Sequence, residues 1–233
     1  MKQKLLLFAF TLIGSMLFAQ SSVSRAFEAW KTKDGTQTLF VKNVTKTDGS
    51  NVYTAGATLN SSNGTYDIFL VKKNSSGVTL YTKQINGTAN THDFIAGMYL
   101  SGTDVYVTGT ITNSVTMAPE LFIAKYNSAG TQQFFTTYSN GYGDIGKDII
   151  INASTGYIVV TGASYNSNFD SDVSTIAFNS SGVQQWVNFY DHAGLNDGGF
   201  KITTKNAFVT VVAPITISAN NYKLASITYS ASN

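Results

Sequence analysis

The sequence predicts an all-β protein, a β-propeller of about four four-stranded blades, and three observations carry that prediction. A motif recurs about every 50 residues, a period typical of propeller blades. The segments inside it are β-branched and aromatic and are closed by Asn/Gly turns. After the N-terminal leader, no stretch keeps a 3.6-residue apolar period long enough for a helix. With 13% aromatic and 12% charged residues, the 233-residue chain is far from a disordered composition and long enough to bury a sizeable core.

The first element is a leader. Lys2 and Lys4 precede the apolar run Leu5 to Phe18, and Ala19 offers a small residue for cleavage, so residues 1–19 read as a secretory signal. The run is short for a bilayer span of about 20 residues. No second such run follows, and there is no Cys for lipid attachment. Residues 20–233 are therefore expected to be one exported propeller domain of four repeats, free of inserted membrane segments, in the periplasm, at the cell surface or outside the cell. Losing the leader lysines leaves 13 basic against 13 acidic residues. Such neutrality argues against nucleic acid or an anionic membrane as partner.

Each repeat has three landmarks. The first is a strand expected to end in Gly: Val52 to Gly56, Val105 to Gly109, Ile158 to Gly162, and a degraded copy, Phe208 to Val212. The second runs into a turn: Asp67 to Gly77, Glu120 to Gly130, Asp172 to Gly182, and the weakest copy, Lys223 to Asn233. Asn followed three residues later by Gly suits such a turn, because Asn bonds nearby backbone donors and Gly accepts positive φ. The third is led by an aromatic: Trp30, Tyr81, Phe134 and Trp186. A further apolar segment, such as Phe94 to Leu100, completes four strands of about five to seven residues per unit. Four antiparallel strands make a marginal sheet that gains its core from the next sheet.

Tyr138 to Asp144, then Ile149 to Gly162, then Phe178 to Gly182 carry a resemblance to the bacterial β-propeller repeat called SBBP, which extends from Trp30 to the C-terminus. It implies an exported scaffold without an assigned catalytic set, with the segment before the Val-Tyr-x-Thr-Gly strand lining the central channel and the aromatic-led strand outermost. On that phasing the strand around Trp30 completes the last blade and closes the ring. The alternative is a fragment of a larger propeller.

Asp93, Asp144 and Asp197 precede the expected inner strands at equivalent positions, which makes them the candidate ligand-binding residues. As a ring of carboxylates they could hold a hard cation or sugar hydroxyls. The plainer account is that each accepts backbone N–H bonds in its own turn, and then Asn should be tolerated there and Ala should not. Asp67, Glu120 and Asp172 are read as solvated strand ends. Tyr81, Phe134, Trp186 and Trp30 could stack on sugars but are better explained as packing between blades. His92 and His192 are read as ordinary loop residues. Without Cys, with two His and with no nucleophile elbow or phosphate loop, the sequence assigns no catalytic set, cofactor or metal. The expectation is a monomeric noncatalytic scaffold that binds a protein or glycan. The alternative is a polysaccharide-acting glycoside hydrolase or lyase, whose two carboxylates need only meet in space.

Overall fold

The computed structural model describes residues 43–60 and 62–232. The leader, the Trp30 strand and Asn233 lie outside the described residues. Four antiparallel sheets follow one another along the chain. Blade 1 holds β1 (Asn43–Thr47), β2 (Asn51–Asn60), β3 (Thr65–Asn74) and β4 (Thr79–Ile85). Blade 2 holds β5 (Phe94–Ser101), β6 (Asp104–Thr112), β7 (Pro119–Tyr126) and β8 (Gln132–Tyr138). Blade 3 holds β9 (Asp144–Ile151), β10 (Ile158–Tyr165), β11 (Ser171–Phe178) and β12 (Gln184–Tyr190). Blade 4 has three strands, β13 (Lys201–Lys205), β14 (Phe208–Ser218) and β15 (Asn221–Ser230).

Within each sheet, spatial order equals chain order, so tight turns suffice to connect neighbours. The first strands pack side by side in the row β1, β5, β9, β13, and among the described residues no comparable packing joins β13 back to β1. Three apolar cores lie between successive blades. One joins Tyr53, Ile68 and Leu70 to Val105, Val107 and Phe122. The second joins Tyr106, Leu121 and Ile123 to Ile158, Val160 and Ile176. The last joins Val173 and Trp186 to Val209 and Val211. Every sheet thus buries both faces only where it has a neighbour on each side.

The strands run longer than the sequence suggested, up to 11 residues in β14. Gly56, Gly109 and Gly162 lie inside their strands rather than ending them. At Gly109 a Cβ would stand 2.0 Å from the Phe94 carbonyl oxygen, and at Gly162 it would stand 1.8 Å from that of Ile145. The inner strand is bulged at both places, between Ile95 and Gly97 and opposite Thr161 and Gly162, which brings its backbone onto the glycine. The fourth copy of this glycine is also shifted by one residue from the sequence reading. Phe122 pairs with Gly109, and Ala225, at the same place in β15, pairs with Ala213 rather than Val212. Ala213 is fully buried, with a small side chain at the position the glycines hold in the other blades.

Candidate functional site

Turns between the second and third strands, and connections from each outer strand to the next inner strand, emerge at the same end of the blades. This loop face carries Asp93, Asp144 and Asp197. All three are buried. Asp93 accepts the Gly87 N–H at 2.7 Å and the Thr112 N–H at 3.2 Å, while its own N–H donates to the Tyr66 carbonyl at 2.8 Å. Asp197 repeats the arrangement with His192 N–H at 2.7 Å and Thr216 N–H at 2.8 Å, and donates to the Ser171 carbonyl. Asp144 accepts the Asn140 N–H at 2.7 Å and, in place of a strand amide, the Ser164 hydroxyl. Each carboxylate ties its connection to the second strand of its own blade, and the amides of Asp93 and Asp197 reach the third strand of the blade before. Burial pushes the carboxyls of Asp93 and Asp144 above the usual range, against the pull of these hydrogen bonds.

Two donors on one carboxylate alter the expectation for Asn. An amide presents one acceptor and one donor, so at Asp93 and Asp197 its NH2 would face a backbone N–H. Only at Asp144 can the partner, a hydroxyl, turn round and accept.

The third-strand acids are likewise not solvated ends in blades 1 and 2, where Asp67 and Glu120 are buried. Asn60 Nδ2 donates to Asp67 at 2.9 Å and Asn113 Nδ2 to Glu120 at 2.8 Å. The same asparagines accept turn amides, Asn60 from Ser62 and Asn113 from Val115 and Thr116. Asn166 accepts from Asn168 and Asp170 in the equivalent turn of blade 3. Sequence reasoning missed these asparagines, although their recurrence at 60, 113 and 166 repeats the 53-residue period of the glycines. In blade 3, Asp172 is held above the usual carboxylate range by burial, with Asp191, Asp197 and Asp170 adding repulsion, and one of its oxygens has no protein partner. Among the described residues no three acidic or His side chains are grouped to hold a metal ion.

Above these braces the turns of blades 2 and 3 expose apolar side chains. Val115, Met117 and Phe169 lie there, with Tyr142 exposed in the connection between these blades. The amide four residues after Asn60 or Asn113, and three after Asn166, bonds back to the asparagine carbonyl. In blade 1 that amide belongs to Gly64, in blade 2 to Met117 and in blade 3 to Phe169. All three have left-handed backbone, with φ of 73°, 56° and 63°. Glycine adopts it freely, whereas a side chain there costs roughly 1–2 kcal/mol. Phe94, His92 and Tyr66 form a separate aromatic cluster at the foot of the loops, with ring centroids 5.2 to 6.2 Å apart, and His92 Nδ1 accepts the Tyr66 N–H at 3.2 Å.

Outer aromatics sit where successive blades meet. A Cβ on Gly130 would lie 2.7 Å from the Tyr81 ring, and one on Gly182 would lie 2.7 Å from the Phe134 ring. Trp186 Nε1 donates to the Ala231 carbonyl at 3.2 Å and its ring lies 6.5 Å from that of Tyr229. Each aromatic therefore covers the turn of the following blade.

This architecture is similar to that of the β-propeller domain of the Trilobed protease from Pyrococcus furiosus, described as having an open velcro topology. The TM-score is 0.50 at 10% identity, over 83% of this chain and 56% of that one. The periplasmic gluconolactonase of Pseudomonas aeruginosa aligns with a TM-score of 0.46 at 12% identity, over 78% of this chain and 55% of that one. The chain thus spans about half the length of these structures. No protein-family model and no curated protein matches the sequence. The likeness defines a class, the all-β propeller-like proteins, and that class alone. Among the described residues no helix is long and apolar enough to cross a membrane.

Proposed function

We propose that the chain is an exported, noncatalytic scaffold of the SBBP repeat type, which binds a protein or glycan in the bacterial envelope or outside the cell. Its ring would be closed by the strand around Trp30 or completed by further blades. One observation carries the binding reading. Met117 and Phe169 hold left-handed backbone at the position Gly64 fills in blade 1, and both point large apolar side chains into solvent. Packing does not repay that local strain in the free protein, and strain of this kind gathers at ligand-contacting loops. Buried carboxylates and asparagines beneath brace the loops, so the tips are presented in a fixed arrangement, which lowers the ordering cost of binding.

A panel of envelope polysaccharides and purified surface proteins, screened on the full chain and on the double variant Met117→Gly/Phe169→Gly, tests this reading. The variant should melt at the same temperature or higher and lose binding. Release of reducing ends from a polysaccharide by the parent chain would overturn the noncatalytic assignment.

A further inference from the structure

The turn joining the second and third strands holds a left-handed residue in every blade, and only two blades place an apolar side chain there. Gly64 in blade 1 and Asn220 in blade 4 have φ of 73° and 62°, a backbone that both residue types adopt readily. Blades 2 and 3 have Met117 and Phe169 instead. Val115, Met117 and Phe169 are 89%, 60% and 74% exposed, so they stand proud of the surface as knobs. The connection between the two blades joins them into one band. The Cβ position of Gly143 lies 3.1 Å from Pro119 Cγ, two residues after Met117, and 3.4 Å from Tyr165 Cδ2, next to Asn166, which sets the exposed Tyr142 between the two turns. Polar side chains beneath the band are already engaged. Asn113 accepts the Val115 and Thr116 amides and donates to Glu120, and Asn140 accepts the Tyr142 and Gly143 amides and donates to the Tyr165 carbonyl at 2.6 Å. Asn166 accepts the amides of Asn168 and Asp170. Charge at this end is one-sided. Asp170 follows Phe169, Asp191 is exposed in the connection leaving blade 3, and both lie close enough to Asp172 to repel its charge. Segments 113–118, 139–143, 166–172 and 191–200 contain no Lys or Arg, and among the described residues neither Asp170 nor Asp191 forms an ion pair.

We propose that this band docks a protein partner that offers apolar sockets flanked by Lys or Arg. The proposal rests on the binding reading above and narrows it from protein or glycan to protein. A sugar site needs a flat ring to stack on and fixed polar groups aimed at hydroxyls. Here the asparagines hold their own turns, and Val115 and Met117 have no flat face. Met and aromatic anchors that fill pockets on a partner are instead the usual centre of a protein interface. An acidic end without basic side chains selects a basic rim on that partner, because opposite charges steer the encounter and like charges exclude wrong partners. For the same reason it disfavours an anionic lipid surface.

A phage-displayed library of small repeat domains with a randomised concave face, selected on the full chain, tests the band. Most enriched domains should combine large apolar residues with Lys or Arg on that face. Their affinity should fall about tenfold or more on Met117→Asn/Phe169→Asn, which removes the knobs but keeps residues tolerant of left-handed backbone. Asp170→Asn/Asp191→Asn should slow their association several-fold at low salt and leave it unchanged at high salt. Leu224→Ser, at a side chain just as exposed on blade 4, should leave their affinity unchanged. Enriched domains that bind the Met117→Asn/Phe169→Asn chain as well as the parent would overturn the proposal, as would a selection dominated by neutral or acidic faces. An oligosaccharide array or phosphatidylcholine vesicles bound by the parent and released by the same double variant would assign the band to sugar or lipid and overturn it equally, although the sugar result leaves the scaffold reading standing. Release of reducing ends by a chain that still selects basic, apolar domains through its knobs would strike the noncatalytic scaffold and leave the docking band in place.

Discussion

Blade 2 and blade 4 use the same repeat, but one has a packed neighbour on each side and the other lacks a packed neighbour on one side among the described residues. Leu121 in β7 and Leu224 in β15 occupy equivalent positions, as their pairings with Thr110 and Pro214 show. Leu121 is 0% exposed and belongs to the core shared with blade 3, whereas Leu224 is 74% exposed. The inner strand shortens from eight residues in β5 to five in β13, and the bulge against β6 has no counterpart in the pairing of β13 with β14. A blade's core is thus a property of the pair of sheets. The same residue type is buried at one position and, among the described residues, left exposed at the other.

The largest effect that would sharpen this contrast is Leu121→Ala, which should cost about 2–5 kcal/mol in denaturant unfolding, while Leu224→Ala stays within about 0.5 kcal/mol. Equal losses would mean that the free face of blade 4 is covered in solution. Next comes the bulge position. Gly109→Ala drives a Cβ into the Phe94 carbonyl and should cost about 1–3 kcal/mol, against about 0.5–1 kcal/mol for Ala213→Gly, which only adds backbone freedom.

The braces provide a third test. Asp93→Asn and Asp197→Asn should each cost about 1–3 kcal/mol because a buried N–H is left facing another donor. Asp144→Asn should cost clearly less, since Ser164 can reverse its hydroxyl; equal melting points for the three variants would refute the donor count. The smallest effect is in pH dependence. Asp93 and Asp144 have pKa values raised by burial, so the fold holds protons that the unfolded chain releases. Their contribution is complete below about pH 3.9 and declines as pH rises through the raised values. Asp48 has the opposite sign. The Asn51 side chain first, then the amides of Asn51 and Ser50 and the Tyr53 hydroxyl, hold its carboxyl well below the usual range. Its contribution is present above about pH 3.9 and lost as pH falls. Melting curves between pH 3 and 7 should lose part of their acid-side drop in Asp48→Asn and part of their decline with rising pH in Asp144→Asn.

Much of the fold was legible in the sequence because the repeat is written in residues with local jobs. Asn74, Asn127 and Asn179 each hold two turn amides through one side chain, a bond over two to four residues that any reader of the chain can anticipate. Strand alternation and the recurring aromatics are local in the same sense. The buried state of Asp67 and Glu120 was not legible, because Asn60 and Gln84 donate to Asp67, and Asn113 to Glu120, only across paired strands. Nor was the one-residue shift from Val212 to Ala213, since both are small apolar residues in an unbroken β run and only the pairing with β15 fixes which one matches the glycine of the other blades.

By itself, then, the sequence determined the all-β class, the number of repeats and the placing of turns, since these follow from side chains acting on their own backbone. Tertiary structure alone decided which repeated carboxylates carry two backbone donors and which faces have a neighbour to bury them. It also decided where a left-handed backbone holds Met117 and Phe169 out in solvent. The second donor on each carboxylate and the packing of blade on blade depend on groups about 19 to 50 residues apart meeting in space, and no local preference encodes the meeting.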